Sequence, residues 1–337
     1  MIVRSRAPVR ITFAGGGTDI SPYDKEFGGL CIGATIDKYV YSSLIPREDK
    51  TIEINSWDLR SKQTFRNLEE MSYDGNGDLI KAVIKKMNPS FGFNLFVRSD
   101  VSPHSGLGAS ASAAASMIGS FNYLRKENKL NRHQIAELAY LIEKDEIKNI
   151  GGRQDQYAAV FGGINSYEFK GEDFVQVNKM DLKESSVLEL GKNLLLVHAG
   201  KREQSSGQIH TAESNSKIDQ NKIERLHDVK KVAKEMEFIL REGKLGEFGR
   251  LIKESWEKKV EYNPNTTNRR INYLIDLALD HGAIGARLMG AGGGGHLLVY
   301  CKSNTEQIVS QELETSGAKV IPFSFDFTGL KTWEIEE

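Results

Sequence analysis

Apolar and β-branched residues alternate with polar ones near positions 9–14, 31–45, 51–55 and 93–98, a period of two that predicts strands and makes the first third of the chain mostly β. The pattern then changes. Residues 109–126, ASASAAASMIGSFNYLRK, are rich in alanine and serine, which predicts a helix buried on most sides, since small side chains let neighbouring backbone come close. Across 131–148, Ile135, Leu138, Ala139 and Ile142 recur at spacings of three and four, the mark of an amphipathic helix. Strand signals return at 164–169, 174–177 and 194–198. A largely helical block follows over about 205–281, where Ile223, Leu226, Val229, Val232, Met236 and Leu240 keep a helical stripe. The remainder reads as strands at 284–289 and 296–301, a helix at 306–313 and a strand at 319–324. This mixed order predicts an α+β fold rather than a doubly wound sheet.

At 337 residues the chain exceeds the usual size of one compact core, so two units are expected, over 1–180 and 181–337. No repeat, low-complexity linker or Pro-rich hinge separates them, so their boundary has to be packed. Lysine plus arginine (45) nearly balances aspartate plus glutamate (46), which leaves no net field favouring nucleic acid or an anionic membrane; an anionic ligand must be held locally. Cys31 and Cys301 are far apart and lack metal-ligand spacing, which excludes a disulfide framework and a thiolate zinc site and predicts two buried small hydrophobes. Arg4, Arg6 and Arg10 interrupt the apolar runs of the N-terminus as no signal peptide would allow, and no stretch approaches the ~18 apolar residues of a membrane span, so a soluble cytoplasmic protein is expected.

Glycines gather at Gly15, Gly16 and Gly17, at Gly106 and Gly108, and in GAGGGG from Gly290 to Gly295. Turns needing positive φ and close backbone approach to a ligand both produce such clusters. PHSGLGASAS (103–112) carries the clearest chemistry. Its loop runs straight into the N-terminus of the small-residue helix, so unpaired N–H groups and the helix dipole converge on one point suited to phosphate. Ser105, Ser110 and Ser112 read as caps, and the Ser110 hydroxyl equally as a ligand of Mg²⁺, a hard cation. No GxxxxGK[ST] occurs, which excludes a P-loop. Gly290, Gly292 and Gly295 satisfy GxGxxG, but HLLVYC after them reads as a strand where a dinucleotide fold requires a helix. The seven histidines lack the spacing of a catalytic zinc site.

In order along the chain, APVRITFAGGGTD (7–19), PHSGLGASAS (103–112) and RLMGAGGGGHLLV (287–299) resemble the three motifs of the GHMP kinases, and the resemblance spans the chain. It implies a two-domain fold of mixed sheets and helices with the active site in the interdomain cleft. It further implies ATP and Mg²⁺ as cofactors, a small-molecule acceptor, no nucleic-acid or membrane partner, and a monomer or homodimer. Galactokinase-like members carry a glutamate and then an aspartate in a glycine-containing turn, as do Glu143 and Asp155 here, although Glu143 also reads as a solvated helix residue. GGGTDISPY (15–23) looks most like the sugar-1-kinase branch that includes bacterial heptose 7-phosphate kinases; fucokinase-like members carry tryptophan where this chain has Gly17. The implied acceptor is the anomeric hydroxyl of a heptose 7-phosphate. Ala109 departs from the Ser-Ser pair of many members.

The resemblance implies that the ATP phosphates lie along Ser105, Gly106, Leu107, Gly108, Ala109 and Ser110, with Mg²⁺ held by Ser110 and Glu143. Asp155 is expected to take the proton of the attacking hydroxyl, and Arg10 to counter charge on that carboxylate and on the γ-phosphate. Acceptor contacts are expected from Gly17, Thr18, Asp19, Gly292 and Gly293, with Asp19 also readable as a turn cap. For the distal phosphate the candidates are Arg202, with Lys201 beside it, and its rivals Arg153, Arg269 and Arg270. Asn55 and Trp57 are candidate adenine contacts. Competing readings are another sugar kinase, of fucose or galactose type, and a non-catalytic sugar sensor on the same fold. The joint presence of Arg10, Ser110, Glu143 and Asp155 argues against a sensor, which needs no base.

Overall fold

The computed structural model describes residues 1–171, 174–201 and 220–336. Strand β1 (Ile2–Ala14) alternates so that Val3, Ala7, Val9, Ile11 and Phe13 enter the core while Arg4, Arg6, Arg10 and Thr12 lie on the opposite face. After the short helix α1 (Tyr23–Phe27), β2 (Gly29–Pro46) returns antiparallel along most of β1. The hairpin β3 (Ile52–Ser56) and β4 (Ser61–Phe65), helix α2 (Asp78–Met87) and strand β5 (Phe93–Ser99) follow, with β3 parallel to β5.

Helix α3 (Ala109–Leu124) is buried along most of its length, as its small residues predict. It packs onto β1 and β2 closely enough for Ser112 Oγ to donate to the Pro8 carbonyl at 2.8 Å and for Ser42 and Ser120 hydroxyls to bond at 2.7 Å. Helix α4 (Arg132–Leu141) starts on a reciprocal Asn131–Gln134 capping box and runs into a π-helical turn, Ile142–Glu146, before α5 (Gln154–Phe161). Strands β6 (Ile164–Phe169) and β7 (Val175–Lys179) extend the sheet from β2.

The chain continues through α6 (Glu184–Asn193), β8 (Leu194–Gly200), α7 (Gln220–Arg241), α8 (Phe248–Tyr262), α9 (Arg269–Asp280), β9 (Ala283–Leu288), β10 (Gly295–Cys301), α10 (Glu306–Thr315) and β11 (Lys319–Ile321). Short strands β12 (Phe325–Asp326) and β13 (Lys331–Ile335) then return to β2 and β1. Among the described residues one sheet has nine strands, with the path β13-β1-β2-β5-β3-β4, and the other has four, in the order β11-β8-β10-β9. The fold is thus mixed α and β, as expected; the pattern reading did not anticipate α1, α2, β4, α5, α6, β12 and β13, and Asp155, read in a glycine-containing turn, lies in the first turn of α5.

One apolar cluster lies between the first sheet and α2 to α5, and another lies between the second sheet and α8 to α10. A middle cluster joins Val9, Ile11 and Phe13 of β1 and Leu107 to Val232 and Met236 of α7, Leu251 of α8, and Met289. Both cysteines are buried and unpaired. Among the described residues no helix is long and apolar enough to cross a membrane.

Candidate active site

A cleft of about 910 Å³ runs above this middle core, lined by most of loop 103–110 and of segment 147–156, by Gly16, Gly17 and Asp19, by Lys259 and Tyr262 of α8, and by Arg287, Gly290 and Ala291. Arg10 projects into it from the even face of β1. Its Nε donates to Asp155 Oδ1 at 2.8 Å and its Nη2 to Oδ2 at 2.7 Å, a two-pronged match of guanidinium to carboxylate, while Nη1 donates to the Gly106 carbonyl. The Arg10 amide also donates to the Leu107 carbonyl at 2.9 Å. One residue of β1 therefore fixes both the glycine loop and the carboxylate of α5.

Asp155 rests against that loop. A Cβ added to Gly108 would stand 3.1 Å from Asp155 Oδ2, and Gly108, with φ +78°, enters α3 without any side-chain cap. The first N–H groups of a 16-residue helix thus meet the cleft beside the Arg10–Asp155 pair. The loop is itself braced by glycine-to-glycine packing: a Cβ on Gly106 would stand 2.6 Å from the Met289 carbonyl, one on Gly290 2.7 Å from Gly106 Cα, and one on Gly295 2.5 Å from the Ser105 carbonyl. His296 holds the same Ser105 carbonyl through Nδ1 at 2.8 Å. The second and third glycine clusters hold each other.

Glu143 is turned inward by the π-helical turn, where the Ile147 amide reaches back to the Ile142 carbonyl at 3.2 Å. Its carboxylate accepts from Gln156 Nε2 at 2.6 Å and Asn149 Nδ2 at 3.4 Å, and the Ser110 hydroxyl also bonds to it. Burial pushes the Glu143 carboxyl above the usual range, against the pull of those donors. Gln156 Oε1 beside it is buried and has no hydrogen-bond partner. A pocket with a hydroxyl, a desolvated carboxylate and an orphaned amide oxygen suits a hard cation.

Asp19 lies between the first glycine cluster and α5. It accepts from the Gly17 amide at 3.1 Å and from Gln154 N and Nε2 at 3.3 and 3.4 Å. Gly152 is required beneath it, since a Cβ there would stand 1.8 Å from Oδ2. Burial first, and the Asp155 charge second, push the Asp19 carboxyl upward.

Other expected contacts are placed differently. The Thr18 hydroxyl is buried and bonded to the Gly15 and Leu30 carbonyls, so it secures the turn instead of facing the cleft. Arg153 is buried under α4: it donates to the Gly171 carbonyl at 3.0 Å, pairs with Glu137 at 3.4 Å and stacks on Tyr140, away from the cleft lining. The Leu107 side chain belongs to the middle core, leaving only its backbone to the loop. Gly292 and Gly293 turn against Thr266, while Gly290 and Ala291 line the cleft. Lys201 is exposed, and Arg202 lies outside the described residues. Arg269 and Arg270 are exposed on α9, with Arg270 donating to the Ser316 carbonyl. Trp57 is 74% exposed, and Ser56, Asp58 and Leu59 line the cleft in place of Asn55 and Trp57.

Pattern reading missed Asn149, Gln154, Gln156, Lys259 and Arg287, all in the cleft lining. Asn149, Gln154 and Gln156 flank Arg153 and Asp155 in sequence and were within reach of it. Arg287 opens the third motif, RLMGAGGGGHLLV, and was within reach as well, whereas Lys259 comes from a helix whose approach to the cleft only the tertiary fold reveals.

The model of the GHMP kinases N-terminal domain matches residues 78–163, and that of the GHMP kinases C-terminal domain matches 236–319. The chain is 31% identical to a D-glycero-alpha-D-manno-heptose 7-phosphate kinase of Campylobacter jejuni, over 99% of both chains. Among solved structures, a D-glycero-D-manno-heptose 1-phosphate kinase from Bacteroides thetaiotaomicron superposes with a TM-score of 0.82 at 30% identity, covering 99% of this chain and 100% of the other. The Methanococcus jannaschii mevalonate kinase shares the fold, with a TM-score of 0.72 at 24% identity over 96% and 98% of the two chains. The chain that places a glycine loop and a helix opening beside an Arg–Asp pair is thus matched by both GHMP kinase domain models and, along its whole length, by a kinase at 31% identity, and the protein belongs to the GHMP kinase family, whose phosphate donor is ATP.

Proposed function

We propose that this kinase phosphorylates the anomeric hydroxyl of a sugar phosphate, D-glycero-D-manno-heptose 7-phosphate, to give the 1,7-bisphosphate, in the cytoplasm. The observation that carries the reading is the Asp155 carboxylate, clamped by Arg10 against Gly108 where α3 opens. The heptose kinase likeness over 99% of the chain supports the acceptor.

In this reading the γ-phosphate sits at the amides of 105–110, beside Arg10. The anomeric oxygen attacks phosphorus, the bond to the β-phosphate oxygen breaks, ADP leaves, and the hydroxyl proton passes to Asp155. The bidentate clamp aims one carboxylate oxygen and leaves Asp155 little freedom to swing away, so orientation is supplied before substrate arrives. Gly17 and Asp19 border the acceptor, with Asp19 accepting from a sugar hydroxyl and Gly292 and Gly293 shaping the turn behind it. Ser110 and Glu143 would hold Mg²⁺, which when bound neutralises charge on the β- and γ-phosphates. The apolar arm of the cleft at Leu59, Leu79, Ile80 and Val97 offers the adenine ring of ATP a dry wall. We further assign a 1–180 unit and a 181–337 unit to either side of the cleft, with β12 and β13 returning to the first.

A coupled ADP-release assay tests the reading with the heptose 7-phosphate, the free heptose, fucose, galactose and mannose 6-phosphate. Rapid Mg²⁺-dependent ADP release with the 7-phosphate and a new anomeric phosphate signal by ³¹P NMR are expected. No turnover with any sugar phosphate, alongside measurable sugar binding, would point to a sensor instead.

A further inference from the structure

An acceptor that already carries a phosphate needs a second anion site, and a chain with 45 basic and 46 acidic residues must build it locally. The acceptor side of the cleft has such a place. Lys259 and Tyr262 stand three positions apart on α8 and share a face that lines the cleft. The Lys259 ammonium is aimed by donation to the Gly290 carbonyl. The Tyr262 ring borders the first glycine cluster, since a Cβ on Gly17 would stand 3.7 Å from its Cε1. Lys222 of α7 lies over the same ring, 5.4 Å from its centroid. Gly17 in turn donates to Asp19, so this face adjoins the residues expected at the acceptor.

Behind it stands a cation with no ionic partner among the described residues. Arg287 is 2% exposed, lines the cleft, and forms no ion pair among the described residues. Its Nη1 donates to the Phe13 carbonyl and, at 2.6 Å, to Ser255 Oγ, one turn before Lys259 on the same helix; its Nε is buried without a partner. Arg10 adds a repulsion, and burial lowers the Arg287 guanidinium to about 10. A buried, uncompensated cation favours an anion in front of it.

We infer that Lys259, backed by Arg287 and walled by Tyr262, forms the subsite for the phosphate that the acceptor brings with it. The inference rests on the sugar-phosphate reading above and assigns its specificity to residues other than Arg202. Lys259 makes a charge-assisted contact with the phosphate oxygens, and Arg287 supplies field from below.

Calorimetric titration of wild type and Lys259→Met with D-glycero-D-manno-heptose 7-phosphate and with the free heptose, beside a non-hydrolysable ATP analogue, tests the subsite apart from turnover. The wild type is expected to bind the 7-phosphate more tightly than the free sugar, and Lys259→Met to cut that preference about 10- to 100-fold. Lys259→Arg is expected to restore much of it, which a merely structural lysine would not require. A preference that survives Lys259→Met overturns the subsite, as does a wild type that binds both sugars equally or neither. A fall in ATP analogue affinity that matches the fall for both sugars overturns it too, because Lys259 then serves the transferred phosphate. Tight binding of the 7-phosphate without ADP release would refute the kinase reading alone, leaving the subsite to stand or fall on the variant.

Discussion

At the scale of single residues, the Arg10–Asp155 clamp sets the strongest expectation. Asp155→Asn keeps the size of the side chain but removes the proton acceptor and one ionic prong, so turnover should fall by about 10²- to 10⁴-fold. Circular dichroism and ATP affinity should change little, and near-native turnover would remove the base from the scheme. Asp19 bears on pH. Its carboxyl is raised by burial and then by Asp155, so protonation favours the folded state. That contribution is fully present below the ordinary carboxylate range and is lost as pH rises through the raised value. Melting temperatures of wild type and Asp19→Asn, compared from acid to neutral pH, should therefore diverge in one direction: the wild type gains on the variant as pH falls. A difference that is flat with pH would show that Asp19 is not strained in this way.

At the scale of elements, the glycine loops act as one part. Gly106 has φ +78° and its Cα faces the backbone of Met289 and Gly290, so Gly106→Ala combines an unfavourable conformation with a backbone clash. A loss of about 1–3 kcal/mol in chemical denaturation is expected, with ATP affinity falling more steeply than stability because the loop carries the phosphate amides. Much of this was legible locally. The three motifs, the small-residue helix and the pairing of Glu143 with Asp155 are visible as residue types at fixed spacing. What glycines at 106, 290 and 295 face was not, because their partners are each other's backbones. Nor was the inward turn of Glu143, which depends on one extra residue in a π-helical turn. Helix α2 carries an apolar stripe at Leu79, Ile80, Val83, Ile84 and Met87, yet it is only 10 residues long and sits among strands, so periodicity alone gave it little weight.

At the scale of the whole molecule, β1 and β2 belong to two cores at once: Val3 and Ala7 pack in the first cluster, while Val9, Ile11 and Phe13 pack in the middle one. The tail strands complete the same sheet, with Ser5 Oγ donating to the Lys331 carbonyl and Gly329 lying against the Val160 carbonyl. No local pattern marks β12 and β13, since their partners lie far back in the sequence. A chain ended at residue 322 should therefore lose cooperative unfolding and ATP binding together, whereas a tail that merely decorates the surface would leave both intact; scanning calorimetry decides. The strand that carries Arg10 meets its outer neighbour across 326 positions of sequence. During synthesis the Ile2–Arg6 edge of β1 thus stays bare from the time it is made until the 331–335 segment has left the ribosome, and the nascent chain must be shielded from pairing with its neighbours for nearly that entire interval.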